Sequence, residues 1–318
     1  MNGTRPSVRL RRGHGARLKR GHPWVYSNEI EMDAEAKAIP AGTVVRLLAS
    51  SGVPVACATF NPHSLIAARL LSRNADAEID AAFLQARLKA ALQLRARFCD
   101  NAYCRLIHAE ADGLPGLAVD RYRDVVVCQV NTAGMERLIP VMTGALGELI
   151  APSAVVLRAD SRVREHEGLS SYVSIAAGAI EVPVEVHEGG LRFPVDPLAG
   201  QKTGWFYDQR DNRAFVSAMA EGCSVLDVFC HCGGFGLAAL AAGARSAVFV
   251  DNSQAGLDQA ARAADWQGVV DKCTFIRAEV LAEMARQAGE TFDLVIADPP
   301  AFVTSRKSLK PGLKGFEK

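Results

Sequence analysis

The sequence predicts a Rossmann-like α/β domain with an incomplete sheet, preceded by a small β-rich domain and an α+β middle domain, and three observations carry that prediction. From about residue 210, strand-like runs alternate with helical stretches in "SVLDVF", "GFGLAALAAG", "SAVFVD", "SQAGLDQAARAADWQG", "CTFIRAE" and "FDLVIAD". Alternation of this kind specifies a parallel sheet with helices on its faces. A glycine-rich turn, "CGGFG", separates the first of these strands from its helix. Before residue 72 the apolar runs are short, "TVVRLLAS", "VPVACATF" and "LIAARLL", and Pro, Gly, Ser and Asn separate them, which is the rhythm of a small β-rich module.

Taken in order, the expected domains span residues 1–72, 73–190 and 191–318. The middle one opens on a helix. In "EIDAAFLQARLKAALQLRARF" the residues Ile79, Phe83, Leu84, Leu88, Ala91, Leu92 and Phe98 recur near helical spacing, with Asp76 or Asp80 placed to cap its start. Strands follow, broken by the turn signals Asp112-Gly113-Leu114-Pro115-Gly116 and Tyr122-Arg123-Asp124. A helix from about Met135 to Ile150 and the strand "AVVLRAD" complete an α+β pattern. The stretch "IEVPVEVHEGGLRFPVD" alternates at period two around Glu188-Gly189-Gly190, a hairpin leading out of the middle domain. No internal repeat and no low-complexity segment interrupts the chain.

At 318 residues the chain accommodates two or three domains, since single cores seldom grow past about 250 residues. The balance of 36 Lys and Arg against 35 Asp and Glu, with 49% hydrophobic residues, describes an ordinary globular protein and excludes a disordered one. Charge is informative only in its distribution. Arg5, Arg9, Arg11, Arg12, Arg17, Lys19 and Arg20 precede the first acid, Glu29, and such a patch suits a polyanion, although a solvated surface explains a charge cluster as well. An Arg-rich, acid-free start also resembles an organelle transit peptide, but "GHPWVYSNEI" reads as folded structure directly afterwards. With no run of 18 or more apolar residues and no secretory leader, the expectation is a cytoplasmic protein without a membrane partner. Eight scattered cysteines read as free thiols. Cys230-His231-Cys232 lacks the two-residue gap that lets both sulfurs reach one tetrahedral ion, so no metal is expected.

The chemistry concentrates at the carboxyl edge of the last sheet. Gly233, Gly234 and Gly236 stand between a strand and a helix, where glycine lets backbone approach a ligand, and Asp251 ends the next strand, where a carboxylate can accept from ribose hydroxyls. Together these features indicate a nucleoside cofactor, while a glycine turn alone serves equally well without a ligand. A dinucleotide site wants G-x-G-x-x-G to cradle a pyrophosphate, whereas this turn reads G-G-F-G-L-A with Asp227 just ahead of it. An acid there repels a diphosphate but pairs with an ammonium group, which favours S-adenosylmethionine. "DPPAF" follows the fourth strand: Asp298 can accept from a base amino or imino group, two prolines stiffen the turn, and Phe302 offers a stacking face for an extruded base. A plain proline-rich turn is the structural alternative.

Five stretches, "RLKRGHPWVYSNEI", "EADGLPGLAVDRY", "GQKTGWFYDQRDNR", "DVFCHCGGFGLAAL" and "VIADPPAFVTSRKSLKPGLKG", make the chain resemble, from about Val8 onward, the S-adenosylmethionine-dependent methyltransferases of large-subunit ribosomal RNA that form 5-methylcytosine and carry an N-terminal PUA domain. The resemblance implies a PUA domain over 1–72, a family-specific α+β domain, and a methyltransferase domain from 191. Ribosomal RNA is then the partner, with Arg11, Arg12, Arg17, Lys19 and Arg20 as phosphate contacts. Lys202 and Thr203 are implied near the methionine carboxylate, with Asp208 and Arg210 opening the helix below. Read by itself, Gln-Lys-Thr between glycines is either a ligand loop or a capped helix start. Asp227, Phe229 and the three glycines are implied around the cofactor, and Asp251 and Asn252 at its ribose. Glu279 stands where the family commonly has an Asp beside the adenine.

Carbon 5 of cytosine is a poor nucleophile, so the family adds a cysteine thiolate to carbon 6 before methyl transfer. Its cysteine lies beyond the Asp-Pro-Pro turn in a Ser-Cys segment that these 318 residues do not contain, and the expectation is a C-terminally truncated chain without the nucleophile. Methylation of guanine N7 or adenine N6, which needs no thiolate, is the alternative chemistry, and a non-catalytic RNA- or cofactor-binding fragment is the alternative class. A nicotinamide-dependent oxidoreductase is disfavoured by the glycine pattern. The oligomeric state, a homodimer included, is left open.

Overall fold

The computed structural model describes residues 5–200, 203–287, 289–303, 309–310 and 313, which fall into two compact units. The first comprises residues 1–182 with 196–205, and the second 183–195 with 206–318.

The short apolar runs near the start of the first unit pair into one sheet. β1 (Ser7–Arg9), β2 (Trp24–Val25), β3 (Thr43–Leu48), β4 (Pro54–Phe60) and β5 (Ala68–Ser72) lie in the order β1-β3-β4-β5-β2, with short helices α1 (Ala16–Lys19) and α2 (Ala34–Ala38) between them. Val8, Ile30, Val45, Leu47, Ala58 and Phe60 form its core. The α3 helix (Ala81–Arg95) follows, and Asp80 is the residue that caps it, its carboxylate accepting from the Phe83 N–H at 2.9 Å. A second sheet contains β6 (Tyr103–His108), β7 (Leu117–Tyr122), β8 (Val125–Val130), β9 (Ala154–Ala159) and β10 (Tyr172–Gly178) in the order β10-β9-β8-β7-β6. Only β8 and β9 are parallel, and the crossover joining them is the helix α4 (Ala133–Ile150), capped by Thr132. Leu84 and Leu88 of α3, Met142 and Leu146 of α4, and Leu106 and Val126 of the sheet share one core.

The expected boundary between residues 72 and 73 does not divide compact units. Buried Glu167 explains part of this: its carboxylate accepts from Asn61 at 3.0 Å, Ser64 at 3.1 Å and Arg69 at 3.1 Å, all from the first sheet and its loops. The boundary expected between 190 and 191 lies elsewhere among the compact units. The expected position falls inside a hairpin, β11 (Val184–Glu188) with β12 (Leu191–Val195), whose register pairs Glu188 with Leu191, so its strands stay together in the second unit. Residues 196–205 then return to the first unit, where Arg158 donates to the Pro197 carbonyl at 3.1 Å and the Tyr122 hydroxyl to the Thr203 carbonyl at 3.0 Å.

The second unit continues with α5 (Arg210–Ser217), β13 (Ser224–Val228), α6 (Gly234–Ala241), β14 (Ser246–Asp251), α7 (Gln254–Trp266), β15 (Cys273–Arg277), α8 (Val280–Arg286) and β16 (Leu294–Ala297). The four strands are parallel in the order β15-β14-β13-β16. The chain therefore moves outward from β13 to β14 and β15, then crosses back to the other side of β13. This reversal makes the carboxyl ends of β13 and β16 a topological switch point, where open α/β sheets bind ligands. Among the described residues β16 is an edge strand, with Val295 53% exposed. No helix of the described residues is long and apolar enough to cross a membrane.

Candidate functional site

After β13 the backbone turns left-handed at Phe229 (φ 60°), His231 (φ 51°) and Gly233 (φ 75°). Two of these carry side chains, a conformation that persists only where neighbours impose it. Asp251, at the end of β14 and 8% exposed, is the main constraint: one carboxylate oxygen accepts from the His231 N–H and the other from the Ser253 N–H, each at 2.8 Å. The Cys230 N–H adds a bond to the Val250 carbonyl at 3.2 Å. Gly233 caps α6 in its left-handed conformation, and Gly234 is the first residue of that helix. A Cβ on Gly236 would lie 2.3 Å from Cε1 of Phe249, so this glycine serves close packing of helix on strand.

Asp227, expected to face a cofactor ammonium group, is 1% exposed and accepts from the Gly236 N–H at 2.8 Å. Its side chain therefore closes the turn from within. Burial pushes its carboxyl up to about 7; the Gly236 N–H works against this, Asp298 and Asp251 add to it, and Arg213 opposes it. Since the folded state retains this proton above the ordinary carboxylate range near 3.8, stability of the cofactor-free protein is expected to fall as pH rises from about 4 to about 7. Asp227→Asn should flatten that slope in urea titrations across this range. An unchanged slope would show that another group carries it. Asp251 and Asp298 both bear on Asp227, so their carboxylates gather at one sheet edge, which suits a cationic ligand and opposes a diphosphate.

Phe229 brings the two halves of the predicted site together. Its ring meets that of Phe302 edge-on, with centroids 6.1 Å apart, so the glycine turn touches the Asp-Pro-Pro turn that follows β16. Asp298 is exposed at the start of that turn. Asn252 is exposed beside Asp251, and its carbonyl accepts from Arg277 at 3.4 Å. Glu279 is exposed and caps α8, one oxygen accepting from the Ala282 N–H at 2.8 Å, so that oxygen is engaged with the helix. Lys202 lies outside the described residues, and Thr203 is buried in the first unit. Asp208 is exposed in a single turn, Tyr207–Gln209, just before α5. Cys230 and Cys232 are buried, and burial pushes both thiols up, Cys232 to about 12, which suits packing rather than nucleophilic attack. Among the described residues no group of His, Cys, Asp and Glu could hold a metal ion.

Sequence reasoning missed Arg213. It is 6% exposed and forms a two-pronged pair with Glu188 of β11 at 2.6 and 2.9 Å, while also donating to the Phe206 carbonyl at 2.8 Å. Arg210 stands 3.6 Å from the same carboxylate and over the Tyr207 ring. Nothing in "DQRDNR" marks one arginine as buried, because a polar helix start reads as surface.

At the N-terminus, Arg12, Lys19 and Arg20 are exposed. Arg11 is also exposed but donates to the Ile30 carbonyl at 2.9 Å, and Arg17 lies 2.8 Å from His22 and over the Tyr26 ring. The five predicted contacts therefore divide into three cations unengaged among the described residues and two that also hold the fold.

Residues 8–73 match the PUA-like domain family, and residues 156–311 match the S-adenosylmethionine-dependent methyltransferase family. The chain is 38% identical over 320 residues to the ribosomal RNA large subunit methyltransferase I of Photobacterium profundum. It is 36% identical over 317 residues to the protein of that name from Aeromonas salmonicida. Both alignments cover 98% of this chain and 80% of the relative. A solved Streptococcus mutans structure assigned as a SAM-dependent methyltransferase superposes with TM-score 0.78 at 18% identity, covering 97% of this chain and 82% of that one. A second, of a methyltransferase complexed with SAH, gives 0.78 at 19% identity over 95% of this chain and 77% of its own. These two share the fold.

Proposed function

We propose that this chain, which belongs to the family of ribosomal RNA large subunit methyltransferase I, methylates carbon 5 of a cytosine in large-subunit ribosomal RNA. The family makes it an S-adenosylmethionine-dependent RNA methyltransferase with a PUA-like domain. The target atom is our reading from the family resemblance, and the observation that supports a base pocket beside the cofactor is the contact between Phe229 of the cofactor turn and Phe302 of the Asp-Pro-Pro turn. A base stacked on Phe302 would sit beside the cofactor turn, with Asp298 within reach of its Watson–Crick edge. S-adenosylmethionine supplies an electrophilic methyl group. The carboxylates of Asp251 and Asp298 at the same sheet edge fit its positive charge, and Asp251 and Asn252 stand where a ribose would be held.

A second reading is transfer to a base nitrogen such as guanine N7 or adenine N6, which needs no attacking thiolate; the buried thiols of Cys230 and Cys232, pushed up by burial, are poorly suited to supply one. Ribosomal RNA from cells lacking the gene decides between the two. The expected result is loss of one 5-methylcytidine from the large subunit, restored by the gene. A full complement of 5-methylcytidine with another methylated nucleoside missing would replace the first reading by the second.

RNA binding by the PUA-like domain is expected to depend on the three cations unengaged among the described residues. Changing Arg12, Lys19 and Arg20 to Glu should weaken binding across unrelated RNA sequences and reduce the slope of log affinity against log salt by about one for each phosphate no longer neutralised. Filter binding at several salt concentrations measures this, and an unaltered slope would remove the patch from the RNA interface.

A further inference from the structure

We infer that the Glu188–Arg213 ion pair is a positioning element that sets the cofactor turn, acting through Phe206 and Phe235. The inference rests on assigning the turn after β13 to S-adenosylmethionine.

A buried guanidinium is costly unless it is paired and its remaining donors are satisfied. Arg213 meets these demands through Nε and Nη2. Both oxygens of Glu188 receive it, at 2.6 and 2.9 Å, and each partner's side chain is 7% exposed. The same Nη2 that reaches Glu188 also donates to the Phe206 carbonyl at 2.8 Å. This bond fixes the backbone of a residue whose ring stands edge-on to His231, with centroids 5.4 Å apart and planes at 84°. On its other side the guanidinium lies 5.8 Å from the ring centroid of Phe235, the second residue of α6. Arg213 therefore reaches the turn at both flanks of Gly233.

His231 is the strained member of that turn. Its left-handed backbone is held at the N–H by Asp251 and at the ring by Phe206. The ring also meets the Cys232 Sγ, 3.1 Å from Nδ1, so losing Phe206 removes one of several restraints on a conformation that non-glycine residues seldom adopt. Because Asp251 holds the His231 N–H, a relaxed His231 also moves the carboxylate assigned to the ribose. The hairpin thus contributes to the cofactor site without offering any group to the cofactor. A pair whose work was stability alone would be replaceable by apolar side chains of similar volume without loss of cofactor affinity.

The test measures S-adenosylmethionine affinity of Glu188→Gln, Arg213→Lys and Phe206→Leu in the full chain by calorimetry, at a temperature where circular dichroism shows each variant folded. Each is expected to raise the Kd at least about tenfold, while Phe206→Tyr, which keeps the ring, stays within about twofold of the parent. RNA affinity should be unmoved, since the PUA-like domain carries it. Variants that melt earlier but bind the cofactor with parental affinity when folded would reduce the pair to a structural role and overturn the inference. If the two ion-pair variants do not fold, Phe206→Leu decides alone, because it leaves both charges in place, and parental affinity there would overturn the inference. Absence of binding by the parent chain would instead remove the assignment of the turn, and the inference with it.

Discussion

Asp251→Ala is expected to abolish measurable S-adenosylmethionine binding and to destabilise the methyltransferase unit by about 2–6 kcal/mol, from two backbone N–H groups left without partners at about 1–3 kcal/mol each. The carboxylate accepts from His231 with one oxygen and from Ser253 with the other, so alanine removes both bonds together. The first loss frees a left-handed residue whose geometry is otherwise unfavourable, and the second loosens the start of α7, which Ser253 caps. Asp251→Asn separates the two. One amide oxygen can replace only one acceptor, so stability should fall by roughly half as much while affinity still drops. Calorimetric titration and urea unfolding read the two effects, and parental affinity in Asp251→Ala would remove Asp251 from the site.

The second large effect is expected at Gly236. An added Cβ would lie 2.3 Å from Cε1 and 2.8 Å from Cζ of Phe249, and 3.1 Å from the Asp227 oxygen that receives the Gly236 N–H. The Phe249 ring cannot retreat, because it is fully buried and stacked on Phe275 with centroids 5.0 Å apart. Overpacking of this kind costs about 1–3 kcal/mol where neighbours adjust, and the upper end applies to a ring fixed on both sides. The gain of about 1 kcal/mol from replacing glycine by alanine within a helix offsets only part of it. Gly236→Ala should therefore melt several degrees below the parent and bind S-adenosylmethionine more weakly, and Gly236→Val should not fold. A Gly236→Ala protein that melts with the parent would mean that α6 can shift on the sheet.

The contrast between these residues shows what was legible beforehand. Asp251 could be found in the sequence because it ends an apolar run that reads as a buried parallel strand, and strand ends at a switch point are where such folds bind. The strands and helices of the second unit were legible for the same reason: a strand covered on both faces is a continuous apolar run, and helices fill the intervals. Gly236 was found, but its purpose was not, because a glycine facing a ligand and a glycine facing a phenylalanine look the same in a string of letters. The left-handed backbones of Phe229 and His231 have no glycine to announce them. The Glu188–Arg213 pair joins a hairpin to a helix, and pattern within either element treats both residues as surface. Of the two caps open for α3, only the structure selects Asp80.

The path of the chain around residues 183–205 bears on how the protein is made. The chain passes between the two units three times in this interval, entering the second with the hairpin, returning to the first, and entering the second again at Phe206. Domains strung in series can fold one after another as they leave the ribosome. Here the hairpin emerges before the first unit has its last residues, and Glu188 must wait for Arg213 before its charge is neutralised. Folding of the two units is therefore interleaved, and no single cut in the chain separates one complete unit from the other.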